Sequence, residues 1–329
     1  MKGLFTKAKH VGQRMLRELS KTPIYYSEFG LRTSIYMVAD RVFLRPKSDR
    51  YRSAIYQFLE TELRPILQIY QHAEFDLPSC VSVSTAKIPV WFCWFQGYEK
   101  MPELVQMCYK SLRRNVPNFA EVRFVSLKNI KELICLDEQL WQKFENGTIS
   151  FAFFSDIIRY HLLRDYGGLW IDSTVYVSGP IPSEWFSSEY YTIKMPKEDA
   201  PHEACEGLWT NFCFSGKQND VLFRFVCDGL NYYWKGHGQT PDYVFLDYII
   251  MAGYQHVGQI RNLIDSVPYN NLSIWEMKNH LCRAFCLEEY IKITSANIFH
   301  KLAHQIEYPR ITFDGKQTFY GYLLEKAGY

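Results

Sequence analysis

The sequence predicts an α/β fold behind a helical N-terminal extension, and three observations carry that prediction. Ile88-Pro89-Val90-Trp91-Phe92-Cys93-Trp94-Phe95 is an unbroken apolar and aromatic run closing near Gly97, the pattern of a strand buried on both faces. A helical pattern over 102–115 and a short strand over 121–125 come next, giving the strand–helix–strand unit of a parallel sheet. Upstream the pattern is helical throughout, with periodic segments at 4–19, 31–44 and 51–72 broken by Pro23, Pro46 and Pro65. The change of character after Pro78-Ser79 divides a basic helical segment, 1–80, from an α/β domain, 81–329.

Length and composition exclude several classes. A chain of 329 residues, 47% of them hydrophobic, can bury a full core, so disordered and fibrous classes are out. The net charge of +2 lacks the basic footprint of a nucleic-acid binder. The charge is unevenly spread, however: residues 1–50 hold eleven Lys/Arg and four Asp/Glu, which leaves the rest of the chain at −5. Nine scattered cysteines, mostly within apolar runs, fit the reduced, buried thiols of a cytoplasmic protein. Cys282 and Cys286, near His280, approach ligand spacing, but no second pair completes a zinc set, and a buried helical face is expected.

The N-terminus offers no apolar core for a signal peptide, and no stretch reaches the ~18 apolar residues of a membrane-spanning helix. Leu4, Ala8, Val11, Met15 and Leu19 nevertheless recur at helical spacing among Lys2, Lys7, Arg14 and Arg17. Such a basic amphipathic helix either lies on the inner face of an anionic plasma membrane or packs as an ordinary solvated helix.

Further along, a long helix is expected over 150–166, stopped by Gly167-Gly168, with a short strand, 169–171, running into Asp172. Strands at 190–194 and 210–214, helices at 219–235 and 241–254, and a mixed segment, 289–325, complete the α/β order.

The chemistry concentrates in the middle of this series. Asp156 and Arg159 lie three apart and share one helix face, while Phe153, Ile157, Ile158, Leu162 and Leu163 make the remainder apolar. An acid and a base on the buried side of a helix must pair or bind something. The glycine pair lets the strand end bearing Asp172 return to that helix, so one arginine and two carboxylates converge where ligands of parallel sheets gather. On spacing alone, Asp156 and Arg159 can also be read as an internal salt bridge and Asp172 as a turn residue.

The run Ser155-Asp156-x-x-Arg159-Tyr160, then Gly167-Gly168 and Asp172, together with Ile88, Pro89, Trp91, Phe92 and Trp94, resembles the sugar-binding region of glycosyltransferase family 32 and its bacterial capsular-polysaccharide-synthesis relatives. It is more distantly similar to the clostridial glucosylating toxins. The resemblance covers roughly residues 88–180. It implies a GT-A-like, Rossmann-type mixed sheet flanked by helices, a nucleotide-sugar donor, a divalent cation (Mn²⁺ or Mg²⁺) and transfer with retention. The acceptor implied is a growing polysaccharide or a lipid-linked saccharide.

Carried over residue by residue, the resemblance makes Asp156, Arg159 and Asp172 the catalytic set. Asp156 and Arg159 would bind donor-sugar hydroxyls, with Tyr160 beside them, and Asp172 would face ribose and metal. Trp91 or Trp94 would stack the base, but being three apart they point to opposite faces of a strand, so one of them is core. The sequence departs from the family at the second metal-binding Asp: Asp172-Ser173-Thr174 stands where Asp-x-Asp is expected, and a hydroxyl is a weaker ligand for a hard cation. His300 is the candidate to complete a metal set with Asp172 and Thr174, and Lys301 could meet phosphate.

His202, Glu203, Cys205 and Glu206 lack the His-Glu-x-x-His order and are read as a rim of the acceptor groove. Asp242 is read as a helix cap and Asp247 as a partly buried carboxylate within reach of an acceptor hydroxyl. The reading is a hexosyltransferase of surface-polysaccharide synthesis. Its competitor, motivated by Thr174, is an inactive sugar-binding or scaffold member of an assembly complex. A nucleotidyltransferase would need a glycine-rich phosphate loop after the first strand, and Gln96-Gly97-Tyr98-Glu99-Lys100 is a poor one.

Overall fold

Residues 15–43, 48–72, 87–200 and 204–328 are described by the computed structural model. Strand β1 (Ile88–Cys93) is sandwiched between two apolar clusters, with Val90 and Phe92 in one and Trp91 and Cys93 in the other. This is the alternation of a pleated strand covered on both sides. The Glu103–Asn115 helix crosses to β2 (Ala120–Val125), which pairs parallel with β1. The helices Ile130–Leu133, Glu138–Glu145 and Phe151–Tyr166 then lead to β3 (Gly168–Ile171), parallel to β1 on its other edge.

The chain thus leaves β1 toward one neighbour and returns on the opposite side. That makes the β1/β3 junction a topological switch point, with an open crevice at the strands' carboxyl ends.

Beyond it come β4 (Val175–Val177), β5 (Tyr190–Thr192), β6 (Cys213–Gly216) and β7 (Phe299–Lys301). The main sheet has the order β2-β1-β3-β6-β5, with β6 antiparallel to both β3 and β5. β4 and β7 form a separate antiparallel ribbon that places Lys301 opposite Val175. The fold is therefore mixed α/β, as expected, with β6 starting three residues later than the pattern suggests.

The upstream helices are Thr22–Phe43, interrupted at Gly30 (φ +72°), Asp49–Glu62 and Arg64–His72. Pro23 and Pro65 start helices rather than break them, because proline in a first turn lacks an N–H that would be unsatisfied anyway. These helices share one apolar cluster with Val221–Gly236 and Phe245–His256, where Ile55, Leu59 and Leu63 meet Phe225, Leu230 and Ile249. Polar ties reinforce the packing: Tyr70 Oη donates to Asp228 at 2.6 Å and Arg41 to the Pro241 carbonyl at 2.7 Å. Residues 48–72 are accordingly an outer layer of the same core. The expected boundary near residue 80, and Pro46, lie outside the described residues.

Of the basic amphipathic pattern, residues 1–14 lie outside the described residues; Met15, Leu16 and Leu19 are exposed on a helical turn. No helix among the described residues is long and apolar enough to cross a membrane. Cys93, Cys108, Cys205, Cys213 and Cys227 are buried, but Cys282 is exposed and Cys286 half-buried. The expected helical face is wrong there: Met277 and Leu281 take the interior positions and the chain turns at 281–284.

Two glycines close the join between the long helix and β3. Gly167 (φ +66°) caps the helix, its N–H donating to the Leu163 carbonyl at 2.8 Å. Gly168 (φ +96°) lies so close to β1 that an added Cβ would sit 2.2 Å from the Pro89 carbonyl oxygen. Gly168→Ala should lower unfolding free energy by about 3 kcal/mol, read as a reduced urea midpoint.

His161 and His300 are fully buried, and burial pushes each imidazole down to about 4. The unfolded chain binds protons first as pH falls below the ordinary histidine value of about 6.5. Stability should therefore be lost progressively from about pH 6.5 toward pH 4, and His161→Gln should flatten that part of the profile in pH-dependent urea melts.

Candidate functional site

A cleft of about 390 Å³ opens at the carboxyl ends of β1 and β3. Its floor carries Asp156 and Arg159 from the Phe151–Tyr166 helix, Asp172 just beyond β3, and Lys301 at the end of β7. The 209–212 segment before β6 and Asp247 of the Phe245–His256 helix form another wall.

Arg159 is the hub. Its Nη2 lies 3.1 Å from Asp156 Oδ1 and 3.3 Å from Asp172 Oδ1. Nη1 donates to the Asn211 carbonyl, Nε donates to the Ser155 carbonyl at 3.2 Å, and the guanidinium lies 5.0 Å from the Trp170 ring centroid. Its side chain is only 7% exposed. Burial disfavours the charge, but Asp172 and Asp156 outweigh it and hold the guanidinium above its ordinary range.

Asp172 has both oxygens engaged. Oδ2 accepts from Lys301 Nζ at 2.8 Å and Oδ1 from Trp170 Nε1 at 2.9 Å. Burial opposes its ionisation, yet Lys301 and Arg159 overcome that and keep the carboxyl below the usual carboxylate range. Asp156 shares Arg159 but has no lysine in contact; burial, aided by the negative charge of Asp172, pushes it up to about 6 against the pull of Arg159. The two carboxylates thus sit on one guanidinium with their pKa values driven apart.

Across the cleft, Asp247 Oδ1 accepts from Trp209 Nε1 at 2.8 Å and from Asn211 Nδ2 at 2.6 Å. Tyr160 Oη donates to Asn211 Oδ1 at 2.8 Å, so this predicted sugar contact is a buried prop for Asn211 rather than a wall of the cleft.

Over residues 42–323 the sequence matches the family described as capsular polysaccharide synthesis protein. The chain belongs to that family. Among solved structures, the chain is similar to the apo structure of the bifunctional glycosyltransferase WbbM, with 14% identity over 78% of this chain and 52% of that one and a TM-score of 0.38. It is also similar to the PaToxG glycosyltransferase, with 12% identity over 75% of this chain and 96% of that one and a TM-score of 0.38. It spans about half the length of the WbbM chain. Comparison with curated proteins gives no match.

Asp156, Arg159, Asp172 and Ser173 come together in the cleft. Trp91 does not join them: it is fully buried, with Nε1 donating to the Gly167 carbonyl at 3.0 Å, and has no free face for a base. Trp94 is half-buried past the end of β1, its ring 5.4 Å from that of His304. Thr174 is buried in the turn before β4 and His300 faces away from the cleft, its Nε2 3.0 Å from Ser178 Oγ. Neighbouring strand residues alternate faces, so Lys301 rather than His300 reaches Asp172.

Cys205 lines the cleft, while His202 and Glu203 lie outside the described residues. Asp242 Oδ1 accepts from the Val244 N–H at 3.1 Å just ahead of the helix. Trp209, Asn211 and Tyr243 are cleft residues that no local spacing marks.

The set expected for Mn²⁺ or Mg²⁺, namely Asp172, Thr174 and His300, is therefore not assembled, and the residues do not fit that ion. Among the described residues no group of three or more His, Cys, Asp or Glu is placed to hold a metal.

Removing the Asp172 charge strands two cations. Asp172→Ala should lower stability by about 3 kcal/mol, and Asp172→Asn by less because it keeps an acceptor for Trp170; urea unfolding of both variants checks this.

Proposed function

We propose that this protein is a glycosyltransferase that moves a hexosyl group from a nucleotide-sugar donor, a UDP-sugar by first choice, to a saccharide or lipid-linked acceptor in capsule synthesis. The observation that carries the reading is the Asp156–Arg159–Asp172 cluster at the β1/β3 switch point, in a chain of the capsular polysaccharide synthesis family. Retention at the anomeric carbon and a GT-A-like scaffold follow from the resemblance to glycosyltransferase family 32.

The chemistry supports this use of the site. Leaving-group departure puts negative charge on the diphosphate and positive charge on the sugar ring, so fixed cations and carboxylates on either side favour the transition state. Asp156, when ionised, accepts hydrogen bonds donated by hydroxyls of the sugar, and Arg159 holds it in place. The Tyr243 ring, 82% exposed at the mouth of the cleft, offers a face on which an acceptor saccharide stacks.

Screening nucleotide sugars for release of the nucleoside diphosphate tests the assignment. Asp156→Asn and Arg159→Lys should each lower kcat/KM about 100-fold. In the parent protein, kcat/KM should rise with pH through about 6 as Asp156 ionises, and Asp156→Asn should lose that rise. Parent-like turnover in both variants would refute these roles. Absence of both release and binding across the panel would favour the inactive scaffold reading instead.

A further inference from the structure

On the floor of the cleft two carboxylates, Asp156 and Asp172, face two cations, Arg159 and Lys301, while Asp247 on the opposite wall accepts from Trp209 and Asn211. Asp172 is committed to two cations, with Lys301 Nζ 2.8 Å from Oδ2 and Arg159 Nη2 3.3 Å from Oδ1, and Trp170 Nε1 also donates to Oδ1. Asp156 shares that same Nη2 at 3.1 Å. A hard divalent cation needs anionic oxygens with open lone pairs and gains affinity with each one. Here the next position of the motif, Thr174, is uncharged and buried, and the motif's one carboxylate, Asp172, already faces an ammonium.

Lys301 is equipped for the opposite role. A lysine ammonium has three donors, and Asp172 accepts one of them. The side chain is 21% exposed on the cleft wall, with the Phe212 ring centroid 4.9 Å from Nζ. Its backbone is pinned: the Lys301 N–H donates to the Ile274 carbonyl and the Leu302 N–H to the Thr174 carbonyl, each at 2.8 Å. The second of these bonds ties β7 to the same turn that presents Asp172. Three residues further on, His304 meets the half-buried ring of Trp94 edge-on.

We propose that Lys301 supplies the positive charge that meets the donor's diphosphate, so that this transferase works without a divalent cation. The proposal rests on the nucleotide-sugar reading above. In the transfer, the bond between the anomeric carbon and the terminal phosphate oxygen breaks and its electron pair goes to that oxygen. The Lys301 ammonium donates a hydrogen bond to the departing diphosphate. The acceptor hydroxyl oxygen bonds to the anomeric carbon, and its proton leaves with the diphosphate.

Calorimetry of UDP, GDP, ADP and dTDP against the full chain, in EDTA and again with Mn²⁺ or Mg²⁺, is the test, run beside the turnover assay. One diphosphate should bind in EDTA with a Kd that either metal changes less than twofold, and turnover should survive EDTA. Lys301→Ala should weaken that binding at least tenfold with no rescue by metal, while Lys301→Arg keeps most of it. Thermal melts of both variants establish that they fold, and the metal dependence of the unaltered protein needs no variant at all. Binding or turnover that requires the metal, or full affinity in Lys301→Ala, overturns the proposal and leaves the glycosyltransferase reading standing. No binding of any diphosphate under either condition, with no turnover, overturns both.

Discussion

The buried guanidinium of Arg159 is the constraint around which the cleft is organised. Moving an ion out of water costs several kcal/mol unless partners replace its hydration. Arg159 finds those partners in three separated stretches of chain: Ser155 and Asp156 on its own helix, Asp172 after β3, and the carbonyl of Asn211 before β6. These bonds fix the register of one stretch against another. The Asp172 N–H donating to the Phe212 carbonyl at 2.8 Å extends the same tie through backbone. A shift of β3 or of the 209–212 segment would leave a charge buried and unmatched, so the electrostatics of the site and the geometry of the sheet edge enforce each other.

The rest of the molecule holds the helix that carries this arginine. The Phe151–Tyr166 helix packs against Val221–Gly236, which with Phe245–His256 is covered on its outer side by the helices of residues 49–72. The wall formed by Asp247, Trp209 and Asn211 belongs to this same block. On the far side, the β4–β7 ribbon brings a residue near position 300 to a carboxylate at position 172. The cleft thus lies between a helical block and a ribbon, and the switch point of the sheet is its floor.

What was legible in the sequence was local. Ser155, Asp156 and Arg159 share a turn of one helix, and Gly167-Gly168 must close tightly onto β1, so their convergence with Asp172 follows from spacing and sterics. Trp209, Asn211 and Lys301 reach the same cleft through pairings that span tens of residues or more, and no periodicity encodes those. Strand position decided two further cases. One step along β7 exchanges His300 for Lys301 at the carboxylate, whereas Trp91 is lost to the core because both faces of β1 are covered, Val90 and Phe92 being as fully buried as Trp91. Tyr160 was placed at the ligand by its motif, but the helix face it occupies is interior, and its hydroxyl acts on Asn211 instead.

The unequal partners of the two carboxylates bear on how an anion is received. Asp172 keeps two further partners, Arg159 and the Trp170 indole, when the Lys301 ammonium turns toward a phosphate. Its charge is not stranded, so the lysine can be shared without the penalty that losing a sole partner carries. Among the described residues Asp156 has no such reserve beyond Arg159, and burial pushes its carboxyl up to about 6. In the proposed transfer, an approaching diphosphate would draw on Lys301, leaving Arg159 to serve both carboxylates. On the proposed reading, the cleft separates two tasks along its length, with neutralisation of the leaving group at the ribbon and recognition of the sugar at the helix.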